Sequence, residues 1–409
     1  MMGLKHGMLA GAAFALAMGG LAPLHAQTAA DAPSLARPPQ YPEAPTARLV
    51  QPPARDQSEL QVLFWTDAQR AERFRAMEQW FAGHEVAPAA TPRALPKGTP
   101  LSAELQADLA KLMSDTNAAG IMVLQDGKVR YEAYGLGLTH DDRWTSFSVA
   151  KSFTSTLLGA AIKDGFITSL DDPLTQYIPG LKGSAYEGVT VRQLATMTSG
   201  VKWNEDYTDP NSDVAQMNRF VVEYGPEAIV AQMKQLPREA EPGKKWVYKT
   251  GETNLIGVLV ENAVGKPLAE YAKAKIVDPA GFEGGLFWMV DPRGGNIGGC
   301  CLSIRLADYA RMGQFALEGG KGIVPDGWFT EAGKAHVQFP DAPGFGYGYQ
   351  WWAYPFGSYG AQGIFGQSIT LVPAKKLVVA IVSNWPTATS AGSRGDARAV
   401  VAKIAASAE

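Results

Sequence analysis

The chain has few of the residues on which disulfide frameworks and metal sites depend. It has only two cysteines, Cys300 and Cys301, and they are adjacent in the sequence. Neighbouring cysteines bridge only with strain, which excludes an ordinary disulfide framework. Five histidines occur in 409 residues. Those beyond residue 26 are not spaced like a pair of zinc ligands; they are His84, His140 and His336. The sequence therefore predicts no metal and no cofactor.

A strong charge of one sign is also missing. The 37 basic and 40 acidic residues give a formal net charge of −3, so nothing in the composition favours nucleic acid or an anionic membrane as a partner. Beyond the N-terminus, no stretch approaches the roughly 20 apolar residues that a membrane span needs. Hydrophobic residues make up 46% and charged residues 19% of the chain, which is the balance of a folded globular protein.

Residues 1–26 have the pattern of a secretory signal peptide. Lys5 and His6 give a weakly basic start, the apolar run GMLAGAAFALAMGGLA follows, and PLHA ends in a small residue. This order predicts export and cleavage after Ala26, which places the mature protein in the periplasm or outside the cell. The alternative is a membrane anchor, but the run is short and rich in small residues.

Composition divides the rest of the chain into two parts. Residues 27–104 contain proline-rich connectors, which indicates an extension or linker that wraps the main domain. Within it, 58–82 is predicted to be helical in its second half. Four apolar residues share one stripe there: Phe74, Met77, Trp80 and Phe81. The main domain is predicted to occupy 105–409.

The main domain shows helix and strand patterns at both ends. A helix is predicted over 101–118 and another at the C-terminal GDARAVVAKIAAS. Two strands flank the turn Asp126-Gly127, and two more flank PAKK within 368–385. The middle, about 165–335, has mainly helical and loop patterns. The predicted fold is α+β, with an antiparallel sheet built from both ends of the domain and a mainly helical insertion between them.

The segment TSFSVAKSF, residues 145–153, carries a candidate reaction centre. Ser148 and Lys151 are three residues apart, so on a helix they share one face at about 5–6 Å. In a dry, partly positive site the lysine loses its charge more readily and helps to deprotonate the serine. The alternative is chance, because Ser-x-x-Lys is a short pattern that many proteins contain.

Two further segments add chemistry to this pair. Tyr248 and Thr250 lie two apart in an irregular stretch, EPGKKWVYKTGETNLIG, before a predicted helix. A phenol beside a lysine ammonium has a lowered pKa and becomes a plausible general base. The glycine-rich YGAQGIFGQSITLVP, residues 359–373, turns into a strand whose edge offers a backbone N–H group to an oxyanion. Its glycines let a substrate come close.

Together these segments resemble the serine hydrolases built like class C β-lactamases and D-alanyl-D-alanine peptidases. SVAK resembles their Ser-x-x-Lys element and YKT their Tyr-x-Asn or Tyr-x-Ser element. AQG at 361–363 stands where they have Lys-Thr-Gly or His-x-Gly, and VTVRQLATMTSG and DDPLTQYIPGL are similar to scaffold segments. The likeness covers about 105–405. It implies a β-lactamase/transpeptidase-like fold, an α/β sandwich with helices on both faces of the sheet.

The resemblance implies a role for each matching residue. Ser148 would be the acylated nucleophile, and Lys151 and Tyr248 the proton-transfer pair. Thr250 takes the place of the asparagine or serine that hydrogen-bonds the lysine and the substrate. The backbone N–H groups of Ser148 and Ile364 would form the oxyanion hole. No metal or cofactor takes part in such a mechanism.

One departure from the family bears on the substrate. Where the family's lysine and threonine hold a substrate carboxylate, this chain has Ala361 and Gln362. We therefore expect no positive charge at that place, which argues against a β-lactamase or a cell-wall carboxypeptidase. The glutamine compensates only in part, through hydrogen bonding. The sequence leaves the position of Lys249 open.

Three segments are most similar to the branch that contains the 6-aminohexanoate-dimer hydrolases and related carboxylesterases: GIFGQSI, YGYQWW and WNEDYTDPNSD. Amide-cleaving members use a loop tyrosine that reaches the leaving nitrogen. Tyr207 matches it, and the alternative is a loop aromatic that covers the core. Trp351 or Trp352 is expected to line the cleft, and Gly363 to lie against the substrate. Four acidic residues of the Tyr207 loop either hold a substrate amine or form a solvated turn: Glu205, Asp206, Asp209 and Asp213.

The predicted function is an exported serine hydrolase that cleaves carboxylic esters or linear amides, such as 6-aminohexanoate oligomers, through a Ser-Lys-Tyr acyl-enzyme mechanism. The partner is a small-molecule ester or amide, and the oligomeric state is left open. Two alternatives remain. One is a β-lactamase or D-amino-acid peptidase, and the other is a non-catalytic cell-envelope module that keeps the fold.

Overall fold

A computed structural model gives the fold and describes residues 46–217, Gly225 and 228–408. The predicted signal peptide, 1–26, lies outside the described residues. Within them, no helix has the length and apolar character needed to cross a membrane.

The strands of the described residues, in chain order, are β1 (Ala47–Val50), β2 (Gly83–Val86), β3 (Ala118–Gln125), β4 (Lys128–Tyr134), β5 (Arg143–Thr145), β6 (Leu286–Met289), β7 (Leu302–Arg305), β8 (Val337–Gln338), β9 (Gly346–Tyr347), β10 (Trp352–Ala353), β11 (Tyr359–Gln362), β12 (Ser368–Val372) and β13 (Leu377–Ser383). They form two antiparallel sheets. The large sheet has the order β4-β3-β13-β12-β11-β10-β9-β8, and the small sheet has the order β1-β2-β6-β7-β5.

The helices, in chain order, are α1 (Asp67–Arg73), α2 (Ala103–Asp115), α3 (Ala150–Lys163), α4 (Val191–Ala195), α5 (Ala228–Gln235), α6 (Thr250–Val264), α7 (Leu268–Ala272), α8 (Asp278–Ala280), α9 (Leu306–Leu317), α10 (Trp328–Ala332) and α11 (Ala391–Ser407). Helices α2 and α11 cover one face of the large sheet, and α9 packs against its other face. The fold is therefore α+β with helices on both faces, as predicted.

The large sheet confirms the strand pairs predicted at both ends of the main domain. β3 and β4 flank a turn in which Asp126 and Gly127 both have positive φ, at 51° and 71°. Such a turn matches the right-handed twist of a hairpin, which is why Asp-Gly is favoured there. β12 and β13 pair across the predicted PAKK turn, and β13 then pairs with β3. The first and last strands of the domain thus pair with each other inside one sheet.

The small sheet was not predicted. Its strands β6 and β7 lie within 165–335, a region whose sequence pattern predicted mainly helices and loops. Each has only four residues, and β6 is the continuous apolar run LFWM, buried throughout. A short apolar run without alternation does not distinguish a buried strand from a piece of helix. β6 pairs with β2, which in turn pairs with β1, and both β1 and β2 come from the N-terminal extension. Only the tertiary fold therefore specifies this sheet.

The observed structure of the N-terminal extension differs from the helix predicted for the second half of 58–82. Helix α1 begins at a capping box between Thr66 and Gln69 and ends at Arg73. At Ala76 the backbone leaves the helical region, with φ −143° and ψ 42°. The chain continues as a short 3₁₀ turn and then as β2, so the apolar stripe belongs to an irregular segment. Two of its members, Phe74 and Met77, are nevertheless fully buried in the main core.

Candidate active site

A tight turn between β5 and α3 presents Ser148 to a cavity. Phe147, the residue before it, has φ 43°. That left-handed conformation is rare for a bulky residue, and it bends the chain sharply from the strand into the helix. Ser148 is 9% exposed and lines a cavity of about 480 Å³. The turn therefore holds the serine at the entrance of α3, with its side chain at the cavity wall.

Lys151 lies one helical turn after Ser148 and is 1% exposed. Its Nζ donates to Thr250 Oγ1 at 3.1 Å and to the Gly299 carbonyl oxygen at 2.6 Å. Burial lowers the pKa of Lys151 to about 8, although the negative charge of Glu205 acts in the opposite direction. A neutral amine has two N–H bonds and one lone pair, so these two hydrogen bonds leave the lone pair free to accept a proton. Burial therefore makes the Lys151 ammonium easier to deprotonate, as expected for a dry site, while a pKa of about 8 keeps it mostly charged at neutral pH.

Tyr248 is partly buried beside both groups. Its ring centroid is 5.3 Å from Lys151 Nζ, and its ring stacks on Trp352 at 5.5 Å. Burial raises the pKa of Tyr248 far above its ordinary value, and the charge of Glu205 adds to that rise. A hydrogen bond with the Ser148 side chain offsets only part of it. The expectation of a lowered phenol pKa was therefore wrong, because the low-dielectric surroundings outweigh the nearby lysine. Tyr248 stays a neutral hydroxyl.

Glu205 connects its loop to α6 through Thr250 and, through the Thr250 hydroxyl, to Lys151 of α3. No sequence pattern distinguishes it from its acidic neighbours. Its Oε2 accepts the backbone N–H of Thr250 at 2.9 Å and the indole N–H of Trp203. Its Oε1 accepts the Thr250 hydroxyl and, at 2.7 Å, the Tyr207 hydroxyl. Since Thr250 in turn accepts from Lys151, a continuous hydrogen-bond chain runs from the carboxylate to the amine. The only sequence signal for Glu205 was its position at the N-terminal end of the acidic loop.

The other acidic residues of the loop support the turn interpretation. Each of them accepts a backbone N–H close by: Thr208 donates to Asp206 at 2.8 Å, Asn211 to Asp209 at 2.8 Å, and Asn204 to Asp213 at 2.7 Å. Such local bonds are how aspartate stabilises turns. These three residues therefore shape the loop, whereas Glu205 faces the cavity.

The aromatic residues predicted for the cleft are placed differently from one another. Tyr207 is half-buried, lines the cavity and is held by Glu205. Trp351, which was predicted to bind substrate, is 0% exposed and packs in the core against Phe329 and Tyr359. Of the two tryptophans expected at the cleft, Trp351 was therefore the wrong one and Trp352 lines the cavity, because adjacent residues of an extended strand point to opposite sides.

Two residues that line the cavity have a backbone N–H group without a partner among the described residues. Neither Ser148 nor Ile364 has an acceptor for its backbone N–H among the described residues. Ile364 opens a 3₁₀ turn directly after Gly363, and both residues line the cavity. A Cβ on Gly363 would lie 2.6 Å from the Ser146 carbonyl oxygen, so only glycine allows this close approach to the nucleophile turn. The arrangement fits the two donors of an oxyanion hole.

Three phenylalanines pack together at the turn that carries Ser148 and the turn that carries Ile364. We call them the aromatic bracket: Phe74, Phe147 and Phe365. Phe147 precedes Ser148 and Phe365 follows Ile364, and both have positive φ. Their rings lie 5.4 Å apart, and Phe74 contacts them at 5.0 and 5.5 Å. The guanidinium of Arg70 lies over the Phe365 ring at 4.7 Å. Arg70 and Phe74, both from the N-terminal extension, thus support the turns that carry the proposed oxyanion donors, the N–H groups of Ser148 and Ile364.

Positive charge is present where the sequence predicted none. Ala361 is buried in the core, but Arg394 and Arg398 of α11 line the cavity next to Gln362. Arg394 donates to the Gln362 side chain, and burial lowers the pKa of Arg394. The expectation was wrong because α11 is distant in sequence from the AQG motif. Lys249 is not the missing cation, since it is fully buried and pairs with Glu252 at 3.5 Å.

The two cysteines lie close behind the lysine. They form a disulfide with each other, directly after Gly299, whose carbonyl holds Lys151. Neither sulfur lines the cavity.

Comparisons with known proteins place this arrangement in a family. The family model described as Beta-lactamase matches residues 105–403. The 6-aminohexanoate-dimer hydrolase of Paenarthrobacter ureafaciens is 28% identical over 298 residues, which cover 68% of this chain and 76% of that protein.

Solved structures share the fold. A protein from Bacillus anthracis, described as a 6-aminohexanoate-dimer hydrolase, has a TM-score of 0.73 at 22% identity and covers 86% of this chain and 98% of its own. A D-stereospecific amidohydrolase from Streptomyces has a TM-score of 0.58 at 20% identity, over 73% of this chain and 98% of its own.

Proposed function

The chain belongs to the beta-lactamase family of serine hydrolases, and we propose that it is an exported member that cleaves carboxylic esters or linear amides through an acyl-enzyme on Ser148. One observation carries the proposal. Ser148 and Tyr248 line one cavity together with Ile364, Lys151 Nζ lies 5.3 Å from the Tyr248 ring centroid, and the backbone N–H groups of Ser148 and Ile364 have no partner in the described residues. A nucleophile, a base of suitable pKa and an oxyanion site are the parts that acyl transfer needs.

The proposed acylation begins with Lys151. Its lone pair takes the Ser148 hydroxyl proton while Oγ attacks the substrate carbonyl carbon, and the negative oxygen binds the N–H groups of Ser148 and Ile364. Tyr248, a neutral hydroxyl hydrogen-bonded to Ser148, accepts and donates hydrogen bonds during the transfer. The C–O or C–N bond then breaks and the leaving group receives the proton. Water repeats the sequence on the acyl-enzyme and releases the acid.

The cavity lining favours a substrate with a carboxylate group at some distance from the bond that breaks. Arg394 and Arg398 lie near Gln362, and arginine binds carboxylates in two-point fashion. A 6-aminohexanoate oligomer has such a carboxylate and a linear amide. The Tyr207 hydroxyl lines the cavity and donates to Glu205, and it would have to turn from that carboxylate to donate to the amide nitrogen as the nitrogen leaves. The same two arginines favour a second candidate, a β-lactam or a peptide with a free carboxylate. The sequence argument against these substrates, the absence of positive charge, no longer holds.

The test labels the nucleophile and then compares substrates. Purified protein is treated with a fluorophosphonate probe, and peptide mass analysis locates the adduct. We expect one adduct on the peptide that contains Ser148 and none in the Ser148→Ala variant. Ser390→Ala is the matched control, because Ser390 lines the same cavity and its loss should leave labelling intact.

Labelled and unlabelled protein are then assayed with p-nitrophenyl esters, 6-aminohexanoate dimer and a β-lactam. Turnover of the ester or the linear amide above that of the β-lactam supports the proposal. A folded protein that takes no label would favour the non-catalytic alternative, and preferred β-lactam turnover would favour the second candidate.

A further inference from the structure

A second cavity lies beside the catalytic one, between the large sheet and α11. Its volume is about 530 Å³, within the range of cavities that hold small ligands. Apolar side chains form most of its lining, among them Leu112, Phe345, Val372, Ile381 and Val401. We call this space the apolar chamber. Nothing in the proposed reaction uses it.

The chamber exists because α11 presents small side chains to the sheet. Ala397 and Ala405 line it, and only Val401 and Ile404 of this helix are buried. Two alanines in place of larger residues leave a gap that the sheet does not fill. At its edge, Phe356 is 99% exposed. An exposed aromatic ring beside an apolar space is typical of a surface that meets an apolar ligand.

The chamber and the catalytic cavity share one wall. Gln362, Arg394 and Arg398 line both spaces. Gln362 is followed directly by Gly363 and Ile364, and the Ile364 N–H marks the place of the carbonyl oxygen. A substituent that is attached to the reacting carbonyl carbon and extends toward Gln362 therefore contacts the shared wall first. Side chains of this wall have apolar stems as well as polar ends.

We propose that the apolar chamber binds an unbranched aliphatic chain attached to the reacting carbonyl of the substrate. The inference rests on the proposed function, because the catalytic cavity supplies the carbonyl. It narrows the substrate class to esters or amides of aliphatic acids with several methylene groups. Each methylene buried in the chamber removes apolar surface from water, which strengthens binding by roughly two- to fourfold.

The first experiment uses chain length. Values of kcat/KM are measured for p-nitrophenyl esters from acetate to dodecanoate, below their critical micelle concentrations. We expect kcat/KM to rise with chain length by roughly two- to fourfold per methylene until the chamber is full. Ala397→Phe, near the shared wall, should cancel this rise and leave acetate unchanged. Ala405→Phe, about 12 Å further along the helix, should affect only the longest esters.

Ala399→Phe is the matched control, since Ala399 is exposed on the same helix and does not line the chamber. It should leave the whole series unchanged. Melting temperatures of the three variants are compared first, so that a loss of folding is recognised. Equal activity on all chain lengths in the parent protein overturns the proposal, as does an equal effect of Ala397→Phe and Ala399→Phe.

A second experiment does not need turnover. Binding of dodecanoate to Ser148→Ala protein is measured by calorimetry, with and without Ala397→Phe or Ala399→Phe. Binding that only Ala397→Phe abolishes supports the chamber even if no ester is hydrolysed, in which case the proposed function alone fails. Absence of binding in the parent overturns the chamber while leaving the hydrolase intact. A change of oligomeric state in Ala397→Phe, without a change in dodecanoate binding, would assign the space to a second copy of the chain and also overturn the proposal.

Discussion

Lys151 can accept the Ser148 proton only as a neutral amine, so its pKa of about 8 sets the pH dependence of the proposed reaction. Below that pH the ammonium predominates, and kcat/KM for p-nitrophenyl acetate should fall about tenfold per pH unit. Above it the value should level off. A pH series with one ester checks this. A profile that is flat between pH 6 and 9 would contradict Lys151 as the base.

Glu205 should tune this profile. Its negative charge favours the ammonium form of Lys151, so Glu205→Gln should lower the lysine pKa and move the midpoint of the profile to lower pH. The measurement is the same pH series. Asp206→Asn is the control, because Asp206 binds only its own turn and should leave the midpoint in place. A midpoint that moves to higher pH would contradict the electrostatic role of Glu205.

Tyr207 should distinguish amides from esters. An amide nitrogen is a poor leaving group until it gains a proton or a strong hydrogen bond, and Tyr207 is held at the cavity by Glu205. Loss of one hydrogen bond that a buried partner needs costs about 1–3 kcal/mol. Tyr207→Phe should therefore lower kcat/KM for 6-aminohexanoate dimer by about tenfold or more, with little change for p-nitrophenyl acetate. Equal loss on both substrates would count against this role.

At the scale of the element, the aromatic bracket makes the N-terminal extension part of the active site. Phe74→Leu keeps an apolar side chain but removes the ring contacts with Phe147 and Phe365. If the bracket positions the oxyanion donors, kcat should fall about tenfold with KM little changed, because only the transition state needs these donors. Affinity for a phenylboronic acid, which forms a tetrahedral adduct, should fall in parallel.

Phe315→Leu provides the matched control for the bracket. Phe315 is equally buried, but it lies on α9 and pairs with Phe329. Both variants should lower the melting temperature, and only Phe74→Leu should lower kcat and the boronic acid affinity. Equal kinetic effects would mean that Phe74 contributes stability alone.

At the scale of the whole molecule, the N-terminal extension and the main domain share one core. The extension supplies β1 and β2 to the small sheet, and Lys97 forms a bridge with Val129 of β4 in the large sheet. Its Trp65, Phe74 and Met77 belong to the same apolar cluster as the main domain. A composition boundary at residue 104 therefore does not separate two packed units in the described part of the chain.

This architecture predicts the result of truncation. A variant that starts at residue 101 retains the matched family region but loses two strands and leaves the edge of β6 unpaired. It should lose its cooperative thermal transition, measured by circular dichroism. A variant that starts at residue 46 keeps both strands and should retain the transition. Similar melting of the two variants would show that the main domain does not depend on the extension.

The sequence by itself determined the local elements and indicated the candidate site. The Asp126-Gly127 turn and the PAKK hairpin were predictable because turn chemistry and strand alternation act over a few residues. Ser148, Lys151 and Tyr248 could be proposed as a set because their motifs are short and stand in a characteristic order. Thr250 followed from its motif too, and the structure places its hydroxyl against Lys151.

Only the tertiary structure decided which residues surround that set. Arg394 is 32 residues from Gln362, Glu205 is 45 from Thr250, and Phe74 is 73 and 291 from Phe147 and Phe365. No local pattern links such distant positions. The direction of the Tyr248 pKa also depends on burial, which the sequence does not show. The physical reason is the same in each case: charge, dielectric surroundings and packing act through space, whereas turn and helix signals act along the chain.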